Sequence, residues 1–311
     1  MIDIVMATYN GEKYLEAQLL SLISQTHKNW SLHIYDDCST DGTVDIINKF
    51  IKIDSRIHFH QNKRNLGCAL TFLNGIKNSS AEFIMLCDQD DIWFDNKVFQ
   101  LYNFIKDEKK LPCIGLAKGV SFNQNINKVT GFINLNEPKS LNEFLLNNGG
   151  LQGCSMIINK KLINLVLEVP SEIVMHDHYL SLLAFSFGKV KYLNMDLMLY
   201  RRHEKAVTTN FYGSFLSKAY NYITSKPFVI DYHHYIAIKS FYNENYSRFQ
   251  DKEIQLFKAY LSLKDENILK VFFVILKFRF LIRGSILFSF LSFFLKRKIG
   301  NNQKQNLYYW K

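Results

Sequence analysis

The sequence has few cysteines, and they are not closely spaced. The five cysteines lie far apart without a Cys-x-x-Cys pair, at Cys38, Cys68, Cys87, Cys113 and Cys154. An odd number of scattered thiols in a chain of 311 residues disfavours a disulfide framework and a zinc knuckle. We therefore expect a protein of the reducing cytosol.

Long apolar runs are also missing. The first ten residues, MIDIVMATYN, lack the basic start and the apolar run of about 7 to 15 residues of a secretory signal, so we expect a strand there and no export. The longest charge-free run between Lys270 and Lys298 extends only from Gly284 to Leu295, whereas a membrane-spanning helix needs about 20 apolar residues. No Gly-x-Gly-x-x-Gly follows a predicted strand, which disfavours a dehydrogenase.

Acidic residues are absent from the C-terminal segment 267–311. Its nine basic residues account for all but one of the ten net positive charges of the chain, and they are Lys270, Lys277, Arg279, Arg283, Lys296, Arg297, Lys298, Lys304 and Lys311. The nearly neutral remainder disfavours nucleic-acid binding. Basic residues among Phe and Leu favour an interfacial helix or helical hairpin on an anionic membrane. A helical subdomain that packs on the core or on a second subunit, in a homodimer, is the alternative.

The first hundred residues alternate short apolar runs with amphipathic stretches, which is typical of βα units in a mainly parallel sheet. We predict strands at Ile2–Ala7, Ser31–Tyr35, Ile57–His60, Glu82–Leu86 and Val190–Tyr200, and helices near Tyr14–Gln25, Thr43–Ile53, Cys68–Lys77, Asn96–Lys106 and from His176 onward. The predicted fold is α/β, with a sheet flanked by helices. We expect a catalytic domain over 1–210, in halves 1–105 and 106–210, and a helical region over 211–311.

Each of the first four predicted strands is followed by a polar segment. These segments are Thr8–Gly11, Asp36–Gly42, Asn62–Gly67 and Asp88–Asp91. Ligands of such sheets bind outside the carboxyl ends of the strands. The four segments should therefore meet at one edge and form a site.

The segment Asp88-Gln89-Asp90-Asp91, here called the acid turn, places three carboxylates directly after a buried strand. Like charges this close repel unless a cation lies among them. Mg²⁺ and Mn²⁺ bind both carboxylate and diphosphate oxygens, so the acid turn could bridge the protein to a nucleotide sugar. A solvated acidic turn that caps the next helix is the alternative.

Together these motifs resemble those of the family 2 glycosyltransferases with the GT-A fold. The resemblance covers roughly residues 1–205 and rests on Ala7–Gly11, Ser24–Thr26, Asp36–Thr43, Asn65–Gly67 and Asp88–Trp93. The acid turn, followed later by Gln152–Cys154, His176-Asp177 and Tyr200–His203, looks most like the bacterial rhamnosyltransferase-like branch of surface polysaccharide synthesis.

The resemblance implies roles for particular residues. Donor contacts are expected from Ala7, Thr8, Tyr9, Asn10, Asp36, Asp37, Asn65, Gly67, Asp88, Gln89, Arg201 and Arg202. Asp90 is the expected ligand of Mg²⁺ or Mn²⁺, with Asp88, Asp91 and His203 as further candidates. Asp177 would be the general base of an inverting transfer, and the acceptor would contact Gln152, Gly153, Cys154 and His176.

The implied reaction transfers a sugar from a nucleotide diphosphate donor to an acceptor. Rhamnose from a dTDP donor is favoured, with UDP-galactose, UDP-glucose and UDP-N-acetylglucosamine as alternatives. The expected acceptor is a glycan or a polyprenyl-diphosphate-linked sugar at the inner face of the cell membrane. A sugar nucleotidyltransferase is disfavoured because Thr8–Glu12 is not a glycine-rich basic phosphate loop. A non-catalytic sugar-nucleotide-binding protein is disfavoured because the acidic residues are all present.

Overall fold

The computed structural model describes residues 1–134, 136–146, 151–166, 171–202, 228–282 and 284–299. Its first half consists of four βα units. The strands are β1 (Ile2–Thr8), β2 (Trp30–Asp36), β3 (Ile57–Gln61) and β4 (Phe83–Asp88), and the helices are α1 (Leu15–Ile23), α2 (Thr43–Ile53), α3 (Cys68–Asn78) and α4 (Lys97–Ile105). These strands are parallel in the order β3-β2-β1-β4. The predicted elements of this half are confirmed to within about two residues.

The second half adds mostly antiparallel strands to the same sheet. Its strands are β5 (Ile92–Trp93), β6 (Cys113–Asn123), β7 (Lys128–Ile133), β8 (Met156–Asn159) and β9 (Lys189–Arg202), with helices α5 (Leu141–Leu145), α6 (Lys160–Ile163) and α7 (His176–Phe187). The sheet continues from β4 through β8, β6 and β9 to β5, with β7 paired to β6. Strand β9, of 14 residues, confirms the strand predicted at Val190–Tyr200 to within two residues, whereas the 11-residue β6 was not predicted. Their length carries the end of β9 back to the acid turn.

Alternating side chains of the central strands build a core on each face of the sheet. On β1, Ile4 and Met6 pack toward α1 and α2, whereas Val5 packs toward α3. Helix α3 approaches closely because Gly75 has no side chain, since a methyl group there would lie 2.4 Å from Val5 Cγ1. Both faces of the sheet are therefore covered by helices, and ligands can reach it only at the strand ends.

The C-terminal region is helical, as predicted, in the part that the structure describes. It comprises β10 (Phe228–Ile230), α8 (Tyr232–Glu244), α9 (Asp251–Ser262), α10 (Ile268–Phe278), α11 (Ile286–Leu295) and β11 (Arg297–Ile299). The short strands β10 and β11 pair in parallel and were not predicted. The predicted boundary near Asn210 lies outside the described residues. Side chains of α8–α11 belong to the same apolar cluster as those of α3, α5 and α7.

Helices α10 and α11 pack against each other as a hairpin, here called the C-terminal hairpin. Its inner side is anchored to the body: Val271, Ile275 and Phe293 are buried, and Asn142 Nδ2 donates to the Phe278 carbonyl at 2.9 Å. Its outer side exposes large apolar side chains, namely Leu269, Phe272, Phe273, Leu276, Leu287, Leu291, Phe294 and Leu295. Across the ranges that the structure describes, none of the helices has the length and apolar character needed to cross a membrane.

Candidate active site

Asp36 and Asp37 end strand β2, and both carboxylates are buried and hydrogen-bonded. Asp36 accepts from Thr8 Oγ1 at 3.0 Å and from the Ser39 amide at 2.9 Å. Asp37 accepts from the backbone amides of Leu66 and Gly67, each at 2.7 Å. The two predicted donor contacts therefore also tie the ends of β1 and β2 to the loop before α3.

Gly67 and Asn65 both donate hydrogen bonds to Asp37. Gly67 has φ +81°, a conformation that favours glycine, and this turns its amide toward Asp37 Oδ2. Asn65 donates to the Asp37 carbonyl at 3.1 Å. Both predicted residues lie beside Asp37, in a position that shapes the floor of the site.

The turn after β1 is joined directly to the acid turn. Gln89 Oε1 accepts from the Tyr9 amide, and Gln89 Nε2 donates to the Tyr9 carbonyl, both at 3.0 Å. Asn10, with φ +48°, accepts from the Thr40 amide at 2.8 Å. Ala7 pairs with Asp88 across β1 and β4. The predicted residues of three strand ends thus meet, and the exposed ring of Tyr9 borders the opening.

The acid turn is partly desolvated. Asp91 is fully buried and Asp88 is half-buried. Burial, followed by the charges of Asp90 and Asp177, raises the pKa of Asp88 to about 7. Burial and the neighbouring charges of Asp90 and Asp88 raise the pKa of Asp91 well above its usual value. Carboxylates crowded in this way gain from a nearby cation.

The thiol of Cys154 reaches the base of the acid turn. Ligand atoms of Asp88, Asp91 and Cys154 lie within 4.8 Å of one another. Asp91 Oδ2 is buried, and the described residues supply no hydrogen-bond partner for it. Burial raises the pKa of the Cys154 thiol well above its usual value, so the thiol stays protonated and is a poor metal ligand. The carboxylates themselves fit a hard divalent cation.

Arg201 clamps the acid turn from strand β9. Its backbone amide donates to Asp91 Oδ1 at 3.1 Å, and its Nε donates to the Asp90 carbonyl at 2.7 Å. Its Nη1 donates to Gln124 Oε1 at 2.7 Å. The guanidinium predicted to bind the donor is therefore also a structural brace. The Arg202 guanidinium lies 4.6 Å from the Tyr200 ring centre, and His203 lies outside the described residues.

Asp177 is in the first turn of α7 and faces the turn that contains Gly153. Asp177 Oδ1 accepts from the His178 amide at 2.7 Å, and Oδ2 accepts from the Gly153 amide at 3.3 Å. Burial raises the pKa of Asp177 to about 6. A carboxylate with a raised pKa that is still ionised at neutral pH is suited to accept a proton.

His176 lies behind Gly153 in the protein interior. Its ring stacks on Phe72 with 4.1 Å between ring centres, and a methyl group on Gly153 would lie 2.6 Å from His176 Nε2. Burial lowers the pKa of His176 to about 3, so the imidazole is neutral. The structure thus places His176 under the predicted acceptor turn, where it supports Gly153 and Cys154.

The surroundings of the Cys68 thiol contain several of the predicted acidic residues. It begins α3, and burial together with the charges of the surrounding carboxylates raises its pKa well above the usual value. The carboxylates that act on this thiol belong to Asp88, Asp177, Asp90 and Asp37. Acidic residues at the ends of β2 and β4 and at the start of α7 therefore lie near this one thiol.

Two residues of the site were missed in the sequence. Lys97 is fully buried below the acid turn; it shares one helix face with Leu101 and Ile105, and this spacing was the available signal. Asn134 has φ +56°, accepts from the Gln152 amide at 3.2 Å and donates to the Ala117 carbonyl at 2.9 Å. It holds the turn at Gln152–Cys154 in place, and no local pattern indicated this role.

The chain matches the model of a known protein family. The model described as Glycosyl transferase family 2 matches residues 3–166, which is more than half of the 311 residues. The chain therefore belongs to glycosyl transferase family 2, and the resemblance stated from the motifs is confirmed.

Individual relatives span several sugars. The chain is 28% identical over 213 residues to the UDP-Glc:alpha-D-GlcNAc-diphosphoundecaprenol beta-1,3-glucosyltransferase WfgD of Escherichia coli, with 68% of this chain and 80% of WfgD covered. It is 27% identical over 221 residues to the dTDP-rhamnosyl transferase RfbG of Shigella flexneri, with 64% and 72% covered. A mannosyltransferase of Pyrobaculum calidifontis, solved in complex with GDP-Man and Mn²⁺, superposes with a TM-score of 0.54 at 10% identity, covering 95% of this chain and 81% of that one. The last likeness shows the GT-A fold, as predicted.

Proposed function

We propose that this glycosyltransferase moves a sugar from a nucleotide diphosphate donor to a lipid-linked or free glycan in bacterial surface polysaccharide synthesis, with inversion at the anomeric carbon. The observation that carries the proposal is the convergence of Asp37, Asp88, Asp90 and Asp177 around Cys68. The relatives support it: WfgD is named for a diphosphoundecaprenol-linked acceptor, and RfbG for a dTDP-linked rhamnose donor.

The nucleotide would occupy the edge formed by β1 and β2. The main chain of Ala7–Tyr9 and the Asp37 region border this edge. A carboxylate there accepts from an imide N–H, which suits a uracil or thymine base. Because the residues on this side contact only the nucleotide, they are compatible with both dTDP-rhamnose and UDP-sugars. We favour rhamnose from the motif resemblance, with glucose as the alternative that WfgD supports.

The acid turn would hold Mg²⁺ or Mn²⁺ through Asp90, with Asp88 and Asp91 as further candidate ligands. The fit rests on the partner-free Asp91 Oδ2 within the described residues and on the crowding that raises the pKa of Asp88. A divalent cation bound there would neutralise the diphosphate as the glycosidic bond breaks.

Asp177 would take the proton from the acceptor hydroxyl. The hydroxyl oxygen attacks the anomeric carbon, the bond between that carbon and the diphosphate oxygen breaks, and the proton passes to the Asp177 carboxylate. The amides of His178 and Gly153 hold this carboxylate, so it is positioned beside the turn where the acceptor would bind.

A donor-hydrolysis panel tests the proposed activity. Purified full-length protein is incubated with dTDP-rhamnose, UDP-glucose, UDP-galactose and UDP-N-acetylglucosamine, each with Mn²⁺, Mg²⁺ or EDTA, and release of nucleoside diphosphate is measured. We expect one donor to be preferred and EDTA to abolish the release. Asp90→Asn should behave like the EDTA sample, and the exposed Asp95→Asn serves as the matched control. Full activity of Asp90→Asn would refute the metal assignment.

We further propose that the C-terminal hairpin binds the anionic inner face of the cell membrane, which would bring the site to a lipid-linked acceptor. Its outer side exposes Phe273 at 66% and Phe294 at 74%, and the segment 267–311 to which it belongs has nine basic residues and no acidic one. Each Lys or Arg near an anionic surface contributes roughly 1 kcal/mol, and buried Phe and Leu side chains add apolar burial.

Liposome co-sedimentation tests the membrane proposal. The double variant Phe273→Ser/Phe294→Ser should lose binding to vesicles of phosphatidylglycerol and phosphatidylethanolamine. The control Val129→Ser/Phe132→Ser removes two apolar side chains on β7 that are 60% and 53% exposed and should bind like the parent protein. Equal binding by both double variants would reject the proposal. A second copy covering the same face would instead appear as a dimer in light scattering that only the hairpin variant disrupts.

A further inference from the structure

Lys97 is a fully buried lysine that points at the base of the acid turn. It begins helix α4, and its side chain has no solvent exposure. Its Nζ donates to the Cys154 carbonyl at 2.6 Å and lies 3.2 Å from Met198 Sδ. The same ammonium lies 3.8 Å from the Trp93 ring centre. Burying a lysine is costly unless its charge is compensated, so this position requires an explanation.

The compensating charges are those of the acid turn. Burial lowers the pKa of Lys97 to about 8, while Cys154, Cys87, Asp91 and Asp88 act in the opposite direction. In turn, Lys97 is among the groups that lower the pKa values of Asp88 and Asp91. At pH 7 the lysine is therefore a cation that faces two partly desolvated carboxylates.

The acid turn has more acidic groups than cations near it. Asp88, Asp90 and Asp91 lie close enough together that the charge of Asp90 raises the pKa values of the other two. Among the described residues, Arg201 contacts this turn from β9, and Lys97 lies on its buried side, where it contacts the Cys154 carbonyl. The excess of acidic groups suits a divalent cation on the outer side.

The contact with Cys154 also links Lys97 to the turn that faces Asp177. The Cys154 carbonyl belongs to the short 3-10 turn Gly153–Ser155, and the Gly153 amide of that turn donates to Asp177. The Cys154 Sγ lies within 4.8 Å of carboxylate oxygens of Asp88 and Asp91. Lys97 is therefore connected to the donor side through the acid turn and to the acceptor side through Cys154.

We propose that Lys97 is a positioning residue of the transfer reaction, a built-in cation that occupies the buried side of the acid turn and leaves the outer side for a single exchangeable divalent ion. The proposal rests on the proposed function, because it assigns the outer side to the donor's metal. Lys97 touches neither the donor nor the acceptor, and it acts through Asp88, Asp91 and Cys154.

Two variants separate charge from packing and from hydrogen bonding. Lys97→Met keeps an unbranched chain between Trp93 and Met198 but removes both charge and donor. Lys97→Gln keeps a donor for the Cys154 carbonyl and removes only the charge. Lys191→Met is the control away from the acid turn: Lys191 Nζ donates to the Phe104 carbonyl at 3.1 Å and lies 4.6 Å from an aromatic ring centre, but it is partly exposed and pairs with Glu108.

Mn²⁺ binding to the full-length protein is measured at pH 7 from the electron-spin-resonance signal of free Mn²⁺, without any sugar donor. Both Lys97 variants should bind Mn²⁺ more tightly than the parent, on the order of tenfold, because a nearby like charge has been removed. Without Lys97, protons also bind more tightly to the carboxylates and compete with Mn²⁺. The electrostatic free energy of binding, however, improves twice as much for a dication as for a proton. In the same variants, donor hydrolysis at saturating Mn²⁺ should fall on the order of tenfold, since both lack the positive charge that holds the acid turn from its buried side.

The combination of tighter Mn²⁺ binding and slower turnover is specific to the proposal. A purely structural lysine would give weaker Mn²⁺ binding and slower turnover together, and that result would overturn it. Parent-like Mn²⁺ binding by both folded variants, as judged by circular dichroism, would also overturn it. If the parent protein binds no Mn²⁺, the proposed metal site fails, and this outcome is distinguishable because it does not depend on Lys97.

Discussion

The acid turn and the C-terminal hairpin differ in how far their side chains find partners within the protein. The acid turn is held by Gln89, which bonds to Tyr9, and by Arg201 from β9, and Lys97 on its buried side contacts the adjoining Cys154 carbonyl. The outer side of the hairpin exposes Phe273 and Phe294, although its inner side is well packed. A polar region with internal partners is organised for a reaction that requires fixed geometry. An apolar region without such partners is organised for binding a surface.

The largest effect is expected at Asp177, whose replacement tests most directly whether the polar site carries out the reaction. Asp177→Asn cannot accept a proton, and removal of a general base typically lowers the rate by about 10² to 10⁴-fold. We expect kcat to fall by this amount while nucleoside diphosphate binding, measured by calorimetry, stays near the parent value. A product with the same anomeric configuration as the donor, observed by NMR of the new glycosidic bond, would contradict the inverting mechanism and the role of Asp177.

Much of this site could be predicted from the sequence because its parts are local. The strand ends, the acid turn and the helix starting at His176 each occupy a short segment with a clear pattern, and the parallel order of β1 to β4 brings them to one edge. Arg201 could not be placed in the same way. It reaches Asp90 and Asp91 only because β9 pairs with β5, which follows the acid turn in the chain.

The roles of Lys97 and Asn134 depend on tertiary contacts that no local pattern specifies. Lys97 reaches the Cys154 carbonyl, and Asn134 reaches Gln152 and Ala117, across large separations in sequence. The hairpin was predicted as an interfacial helix or hairpin from its composition alone. Its division into a buried inner side and an exposed outer side required the packing against α5 and α8 to be known.

The pH dependence of turnover should reveal the environment of Asp177. Its pKa in the ligand-free enzyme is raised to about 6, and the base works only when ionised, so kcat/KM should fall as the pH drops through about 6. One pH unit below the pKa, kcat/KM should be about tenfold lower than its plateau. The measurement is kcat/KM for the acceptor at saturating Mn²⁺ between pH 5 and 8. A profile that stays flat down to pH 5 would contradict the assignment of the base.

A change in the tightly packed body should affect stability more than turnover. Gly75→Ala places a methyl group 2.4 Å from Val5 Cγ1 and 2.9 Å from the Tyr35 ring, which forces α3 away from the sheet. Overpacking of this kind costs roughly 1 to 3 kcal/mol in the free energy of unfolding. We expect a lower urea midpoint with an unchanged slope. An unchanged midpoint would mean that α3 packs less closely than described.

The smallest effect is expected on the outer side of the hairpin, where two neighbouring phenylalanines provide a matched pair. Phe293 is 3% exposed and Phe294 is 74% exposed. Phe293→Ala removes a buried ring and should lower the free energy of unfolding by roughly 3 to 5 kcal/mol. Phe294→Ala should change it by about 0.5 kcal/mol or less, because surface substitutions rarely do more. Both are measured by urea unfolding of the full-length protein in the absence of lipid.

If Phe294→Ala were as costly as Phe293→Ala, the outer side would already be covered by protein, and a second copy of the chain would replace the membrane as its partner. If only Phe294→Ala weakens vesicle binding without loss of stability, the outer side of the hairpin is free in solution and available to lipid.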